Sequence, residues 1–285
     1  MSRYFDNIKK IKDETFKYFG LACTFFGLIM LIIFIGGILN DGLSRISWDF
    51  MRNFPSRKAE DAGILSALAG TLWIVVMTSL IAIPIGIGAA IHLEEFSKKS
   101  TLGRIIEINI SNLAGVPSII YGLLGLEIFG RIMGMGGTIL AGSCTLALLI
   151  LPIIIVATRE AIKAVPSSLR EASFALGASK WQTIKRTVLP AASSSIITGI
   201  IIALSRAIGE AAPLIVVGAL AYVPFVPNSP TSEFTVLPIQ IFNWVSRPQH
   251  AFLVNASAGI IVLLAITFIL NSIAVYLRIK RQVKY

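Results

Sequence analysis

Arg206 and Glu210 stand four residues apart in the stretch IIALSRAIGEAAPL, inside an otherwise apolar run. A spacing of four puts both side chains on one face of a helix. A charge at bilayer depth costs about 2.5 to 3.5 kcal/mol on the insertion scale. Two such charges persist by pairing, by lining a polar path or by meeting groups of a partner. A guanidinium presents five donors in a planar fork, which suits an oxyanion. Glu210 would then orient Arg206 or offset its charge, so that an anion is not held too tightly to leave. A purely structural pair that holds a bundle together is the plainer alternative.

Other polar groups beside apolar runs carry weaker signals. Arg159 lies just past the fourth run, where it would form a cytoplasmic gate or meet lipid phosphate. Glu107 and Glu127 fall near the ends of a mixed third run, where a carboxylate reaches water. His92 and His250 are lone residues at run ends and read as interfacial anchors. No His/Cys/Asp/Glu cluster has metal-ligand spacing, and no serine or cysteine nucleophile has a base nearby. A GxxxxGK[ST] stretch is missing, so the chain should not hydrolyse ATP itself. Cys23 and Cys144 sit in apolar runs and read as small buried hydrophobes, not as a disulfide.

The elements that must position these residues follow from composition. Of 285 residues, 55% are hydrophobic and only 14% charged, where a soluble domain is nearer a quarter charged. Runs long enough to cross the ~30 Å hydrocarbon core occupy about 19–39, 66–92, 105–129, 138–158, 191–222 and 251–277. The chain is therefore expected to be an all-α integral membrane protein of six spans. A head (1–18), a six-span domain (19–277, with a loop at 159–190) and a basic tail (278–285) divide it. The first run follows a charged head and lacks a cleavage site, which reads as a retained span. The third run holds Asn109, Asn112 and the break Gly115–Val116–Pro117–Ser118, so it is expected to be broken or tilted. Pro84, Gly86 and Gly88 predict a kink and close helix contact in the second. Trp48, Phe50 and Phe54, in the 40–65 loop, read as interfacial anchors. The segment 223–250, with five prolines, reads as exterior. No internal repeat is evident.

With a cytoplasmic N-terminus, the segments on that side hold 18 lysines and arginines against six outside. That bias puts both termini and the 159–190 loop in the cytoplasm. The net charge of +10 then serves anionic lipid at about 1 kcal/mol per residue, not nucleic acid. Within the loop, Ser168 with Glu171 and Ser179 with Gln182 have capping-box spacing. Gly177 between them can take the left-handed conformation that closes a helix. Trp181, Ile184 and Val188 are expected on one face of the second short helix, with Lys180, Lys185 and Arg186 on the polar side.

The sequence REASFALGASKWQTIKRTVLP, residues 170–190, resembles the cytoplasmic EAA loop of ABC-importer permeases. Arg170, Glu171, Ala172, Gly177, Trp181, Leu189 and Pro190 fall in that stretch. Glu171, Ala172, Gly177 and the Leu189–Pro190 pair match its most characteristic positions, with Ser173 in place of the usual second alanine. The resemblance implies the six-span importer-permease fold, with a coupling helix between spans four and five that docks on a separate ATPase. GILSALAGTLWIVV, NLAGVPSIIYGLLGL, ITGIIIALSRAIGEAAPL and FNWVSRPQHAF are similar to the phosphate-specific permeases, most of all their A-type subunit. That likeness covers the chain from Ala62 onward. It implies a homologous C-type permease, two copies of the ATPase, which would bind ATP and magnesium, and an extracytoplasmic phosphate-binding protein. This chain would need no cofactor of its own. It would sit in the inner membrane, with Arg206, Glu210 and Arg159 along the anion path. Molybdate, tungstate, sulfate or phosphonate would suit the same arginine. A proton-coupled secondary carrier or a non-transporting scaffold would leave the 170–190 hairpin without a purpose or give it a different one.

Overall fold

The computed structural model describes residues 2–97, 101–220 and 222–280. Met1, Lys98, Lys99 and the tail residues 281–285, which belong to the basic segments counted above, lie outside them. The described residues are mostly helical, with irregular stretches at 53–64, 219–220 and 222–236 and one isolated bridge between Thr138 and Glu233.

Helix α1 (Ser2–Gly42) joins the polar head and the first apolar run in one piece. A 3-10 turn and the short α2 (Trp48–Arg52) lead to α3 (Leu65–Ile91), which ends in a wider π turn, His92–Phe96. Next come α4 (Thr101–Leu113) and α5 (Ser118–Gly125), then α6 (Ile139–Lys163). Two short helices, α7 (Ser167–Ala175) and α8 (Lys180–Thr183), form a hairpin. After a π turn (Ile184–Val188), α9 (Leu189–Gly209) returns through the bundle, followed by the short α10 (Ala212–Val217). α11 (Leu237–Val245) and α12 (His250–Lys280) complete the chain.

Five stretches are long and apolar enough to cross a membrane: Asp13–Arg45, Leu65–Phe96, Ile139–Lys163, Lys180–Gly209 and His250–Lys280. The sixth is bent. Gly103–Leu113 and Ser118–Ile132 meet at 107°, as the Gly115–Pro117 break predicted. Pro117 removes an amide donor and disfavours the α region at the residue before it, and the Tyr121 hydroxyl donates to the Leu113 carbonyl (2.8 Å) across the bend. That bond supplies one of the helix-end carbonyls that lipid could not satisfy.

The core lies between α3, α6 and α9. Lipid tails are as apolar as leucine, so these helices associate by close packing, for which small residues are needed. A Cβ on Gly86 of α3 would lie 2.6 Å from Ile154 Cγ2, and one on Gly199 of α9 would lie 2.4 Å from Ala157 Cβ, both on α6. Pro84 and Pro152 are carried inside their helices. α1 packs on α12 at the rim, and both remain largely uncovered.

Within the segment 223–250, α11 buries Leu237, Gln240 and Trp244, and the Leu237 amide donates to Thr71 Oγ1 of α3 (2.9 Å). Two expectations are corrected here. Phe50 is no surface anchor but lies fully buried beside Trp244, with ring centroids 5.9 Å apart; Trp48 stays exposed. Cys23, expected to be buried, faces outward from α1 as a free thiol, and Cys144 is a half-covered free thiol in α6.

Candidate functional site

At the far end of α9 the helix stops between Gly209 and Glu210. Glu210 takes an extended conformation (φ −81°, ψ 117°), and Pro213 sits in the first turn of α10. The run at 191–222 is thus not one continuous span, because hydropathy carries on through a break that backbone dihedrals impose. Arg206 occupies the last turn of α9, where the helix dipole favours a cation, about 25 Å along the axis from Leu189 at 1.5 Å per residue. Its Nε donates to Glu210 Oε1 (3.3 Å). Among the described residues the two Nη groups have no hydrogen-bond partner, and the guanidinium is partly exposed. The neighbouring break is close by: Gly122 of α5 packs so tightly on α10 that a Cβ there would lie 2.8 Å from Pro213 Cα.

The opposite end holds a second cluster. Arg159, one turn before the end of α6, is paired through Nη2 with Glu94 Oε2 (3.3 Å) and through Nη1 with Glu107 Oε1 (2.7 Å). Its side chain is 14% exposed and that of Glu94 3%, whereas Glu107 is 46% exposed. Such a partner helps offset the cost of removing Glu94 from water. Glu107 is therefore more than a carboxylate at a boundary, since α4 runs beside α6 and delivers it to Arg159. A polar cavity of about 240 Å³ adjoins the cluster, lined by Glu94, Ser97, Arg104, Glu107, Arg159 and Lys163. Among the described residues Glu127 pairs with Arg131 one turn on (3.0 Å), both exposed, as expected of a boundary residue.

The hairpin between α6 and α9 departs from its predicted details in two places. α7 begins at Ser167 with Pro166 in the cap position, so Ser168 lies inside the first turn and no Ser168–Glu171 capping box forms. The second box does form: Gln182 N–H donates to Ser179 Oγ (3.3 Å) and Ser179 N–H to Gln182 Oε1 (2.8 Å). Gly177 between the helices has φ +80°. Ile184 and Val188 pack into a cluster with Ile91, Ile162 and Ala192. Trp181 does not join them. Packing onto the bundle begins at Thr183, and Trp181, two residues earlier, is 56% exposed. Leu176 (89% exposed) and Phe174 also project from the hairpin, with Glu171 and Ala172 exposed beside them.

Arg170 points inward instead. It donates to Val165 O (2.6 Å) and Ile162 O (2.8 Å) and pairs with Glu95 (3.2 Å). Ser173, a departure from the EAA pattern, shares a hydrogen bond with Thr183 Oγ1 (2.9 Å) that ties α7 to the second helix. Leu189 and Pro190 lead the chain into α9. Glu94 and Glu95 are the residues that sequence reasoning missed. Their signal is two adjacent carboxylates just after a 27-residue apolar helix.

The profile of the family described as binding-protein-dependent transport system inner membrane component matches residues 82–282. The chain belongs to that family. It is a transmembrane permease subunit of an ABC-type importer, a multi-pass protein of the membrane that works with separate ATPase subunits and a binding protein and has no ATPase site of its own. The permease is 33% identical over 275 residues to the probable ABC transporter permease protein YqgI of Bacillus subtilis (strain 168), spanning 91% of this chain and 93% of that one. It is 32% identical over 268 residues to the phosphate transport system permease protein PstA of Yersinia pestis, spanning 93% and 90%. Among solved structures, a bacterial ABC transporter that imports alginate matches with a TM-score of 0.66 at 15% identity, over 96% of the permease and 99% of that chain. The MetNI methionine transporter in an inward-facing state matches with 0.61 at 19%, over 78% and 95%. At those identities the likeness concerns the fold.

Proposed function

We propose that the permease is the A-type subunit of a phosphate importer. The observation that carries this reading is Arg206 at the break between α9 and α10, held by Glu210 through Nε alone, with its Nη donors open among the described residues. A fork of charged donors favours bidentate contact with a tetrahedral oxyanion. The Glu210 carboxylate keeps the site from becoming an anion trap, because it competes for the same guanidinium. Relatives named as phosphate transport permeases, PstA of Yersinia pestis and of Pasteurella multocida among them, support phosphate as the cargo.

In this reading a loaded phosphate-binding protein docks at the end of the bundle away from the hairpin. ATP draws two ATPase subunits together, and the hairpin, gripped through Glu171, Ala172 and the projecting Phe174, Leu176 and Trp181, moves with them. The spans of this permease and of a homologous C-type partner then open outward. Phosphate passes Arg206, reaches the level of Arg159 and leaves when hydrolysis separates the ATPases. A rigid hairpin suits this task, since two helices locked by a capping box and a Ser173–Thr183 bond transmit a push that a slack loop would absorb.

The test is uptake of labelled phosphate into liposomes that contain the permease with its partner permease, ATPase and binding protein. Uptake that requires ATP and withstands excess sulfate and molybdate supports the phosphate reading. Loss of uptake to one competitor would reassign the cargo to that anion. Uptake driven by a proton gradient without the ATPase would refute the coupling role of the hairpin.

A further inference from the structure

The π turn after α3 carries two consecutive carboxylates, and each holds a cation from a different part of the chain. Glu94 pairs with Arg159 at the end of α6. Glu95 pairs with Arg170 of α7, and its carbonyl oxygen accepts a short hydrogen bond from Lys180 Nζ of α8. The Lys180 ammonium also lies 4.5 Å from the centroid of the Phe96 ring, which stacks on His92 at 6.2 Å. The hairpin thus grips the end of α3 at two points, although no covalent link joins them nearer than the length of α4 to α6.

We infer that Glu94 and Glu95 are positioning residues that carry movement of the hairpin to Arg159. The inference rests on the proposed reading of the hairpin as the ATPase contact. Adjacent Cα atoms stay 3.8 Å apart across a trans peptide, so whatever displaces Glu95 displaces Glu94. Both side chains are largely shielded from water (3% and 13% exposed), where an ion pair is weakly screened and acts as a firm link. Displacement of the turn withdraws Glu94 from Arg159 and leaves Glu107 as its partner. Glu107 is half exposed and borders the 240 Å³ cavity, so an anion in the cavity competes with it for the guanidinium. Arg159 is therefore closed to an anion while the hairpin rests and open when it is pulled.

The test uses the complete transporter with Cys23 and Cys144 replaced by alanine and Arg104→Cys as a reporter in the cavity wall. Labelling by a water-soluble maleimide is compared with and without ATP plus vanadate. In the parent complex the nucleotide changes the labelling rate. Glu95→Gln is expected to shrink that change at least about fivefold while the ATPase subunits remain bound and hydrolyse ATP, and Glu95→Asp, which keeps the charge, retains it. An undiminished response in Glu95→Gln would overturn the inference. So would loss of the ATPase subunits from that variant, since Glu95 would then serve assembly. A parent complex with no nucleotide response would instead remove the hairpin reading beneath it.

Discussion

Arg45 makes the most connected polar contact at the end of the bundle opposite the hairpin, and its removal is a quantitative test. Its Nε donates to Asn255 Oδ1 (2.7 Å), and one Nη serves Ala59 O (3.1 Å), Glu60 O (2.6 Å) and Ala62 O (2.9 Å). The guanidinium also lies 5.1 Å from the Phe50 ring centroid. The Arg45→Met substitution keeps an apolar stem and deletes the fork. The Glu60 carbonyl is at the surface and takes water instead, and Ala59 O keeps its bond from Asn255 Nδ2 (2.8 Å). Asn255 Oδ1 and Ala62 O are left, each costing about 1 to 3 kcal/mol when buried without a partner. Loss of the ring contact adds about 0.5 to 1 kcal/mol. The segment before α3 should therefore open more easily by at least about 2.5 kcal/mol, equivalent to an open population larger by roughly 70-fold or more. Trypsin reads this directly, because Arg57 and Lys58 lie in that segment. When reclosing outpaces cleavage the rate follows the open population. Peptide-resolved mass spectrometry on the permease in nanodiscs should show cleavage after Arg57 or Lys58 accelerated by that factor. The Arg45→Lys variant should resemble methionine more than arginine, since an ammonium cannot reproduce the planar fork. Acceleration below tenfold, or full protection by lysine, would refute the argument that the geometry of the fork closes this end.

Three further outcomes are expected. Arg206→Ala should abolish ATP-driven phosphate uptake with normal abundance in the membrane, as measured by liposome flux and immunoblot; loss of the protein would favour a structural pair. Gly177→Ala has open space around the new Cβ but must hold φ +80°, so strain of about 1 to 2 kcal/mol falls on the hairpin alone. ATP hydrolysis should then continue with fewer phosphates moved per ATP, and an unchanged ratio would count against the coupling role. Arg159→Met takes an ion-pair partner from Glu94, whose side chain is 3% exposed, and should destabilise the permease. Adding Glu94→Gln should recover most of that loss in a thermal-melt assay in detergent.

The number of spans was legible because a transmembrane helix needs little more than length and apolarity, and the bend at Gly115–Pro117 was legible because proline and glycine act locally. The end of α9 was not: Pro213 signals a new helix start, but apolar residues continue from Ala211 to Tyr222 and hydropathy runs on through the break. Gly177 and the Ser179–Gln182 box could be read since each is settled within four residues. Ser168 shows the limit of the same rule, because a two-residue shift in where α7 starts moved it from the cap into the first turn. Arg206 with Glu210 was visible as a pair on one helix. The pairs of Arg159 with Glu94 and of Arg170 with Glu95 span 65 and 75 residues, and only the packing of α3, α6 and the hairpin creates them.

The pairing of α1 with α12 bears on how the chain is made. A Cβ on Gly42 would lie 2.7 Å from the backbone of Ser257 and Ala258, so the first helix finishes against the last. During synthesis the first helix emerges more than 200 residues before the surface it packs on. It must wait in lipid beside a growing bundle until that surface exists. Release of the final 31-residue helix is then the event that recruits it, and a chain truncated before His250 should insert its earlier spans yet leave α1 free to drift.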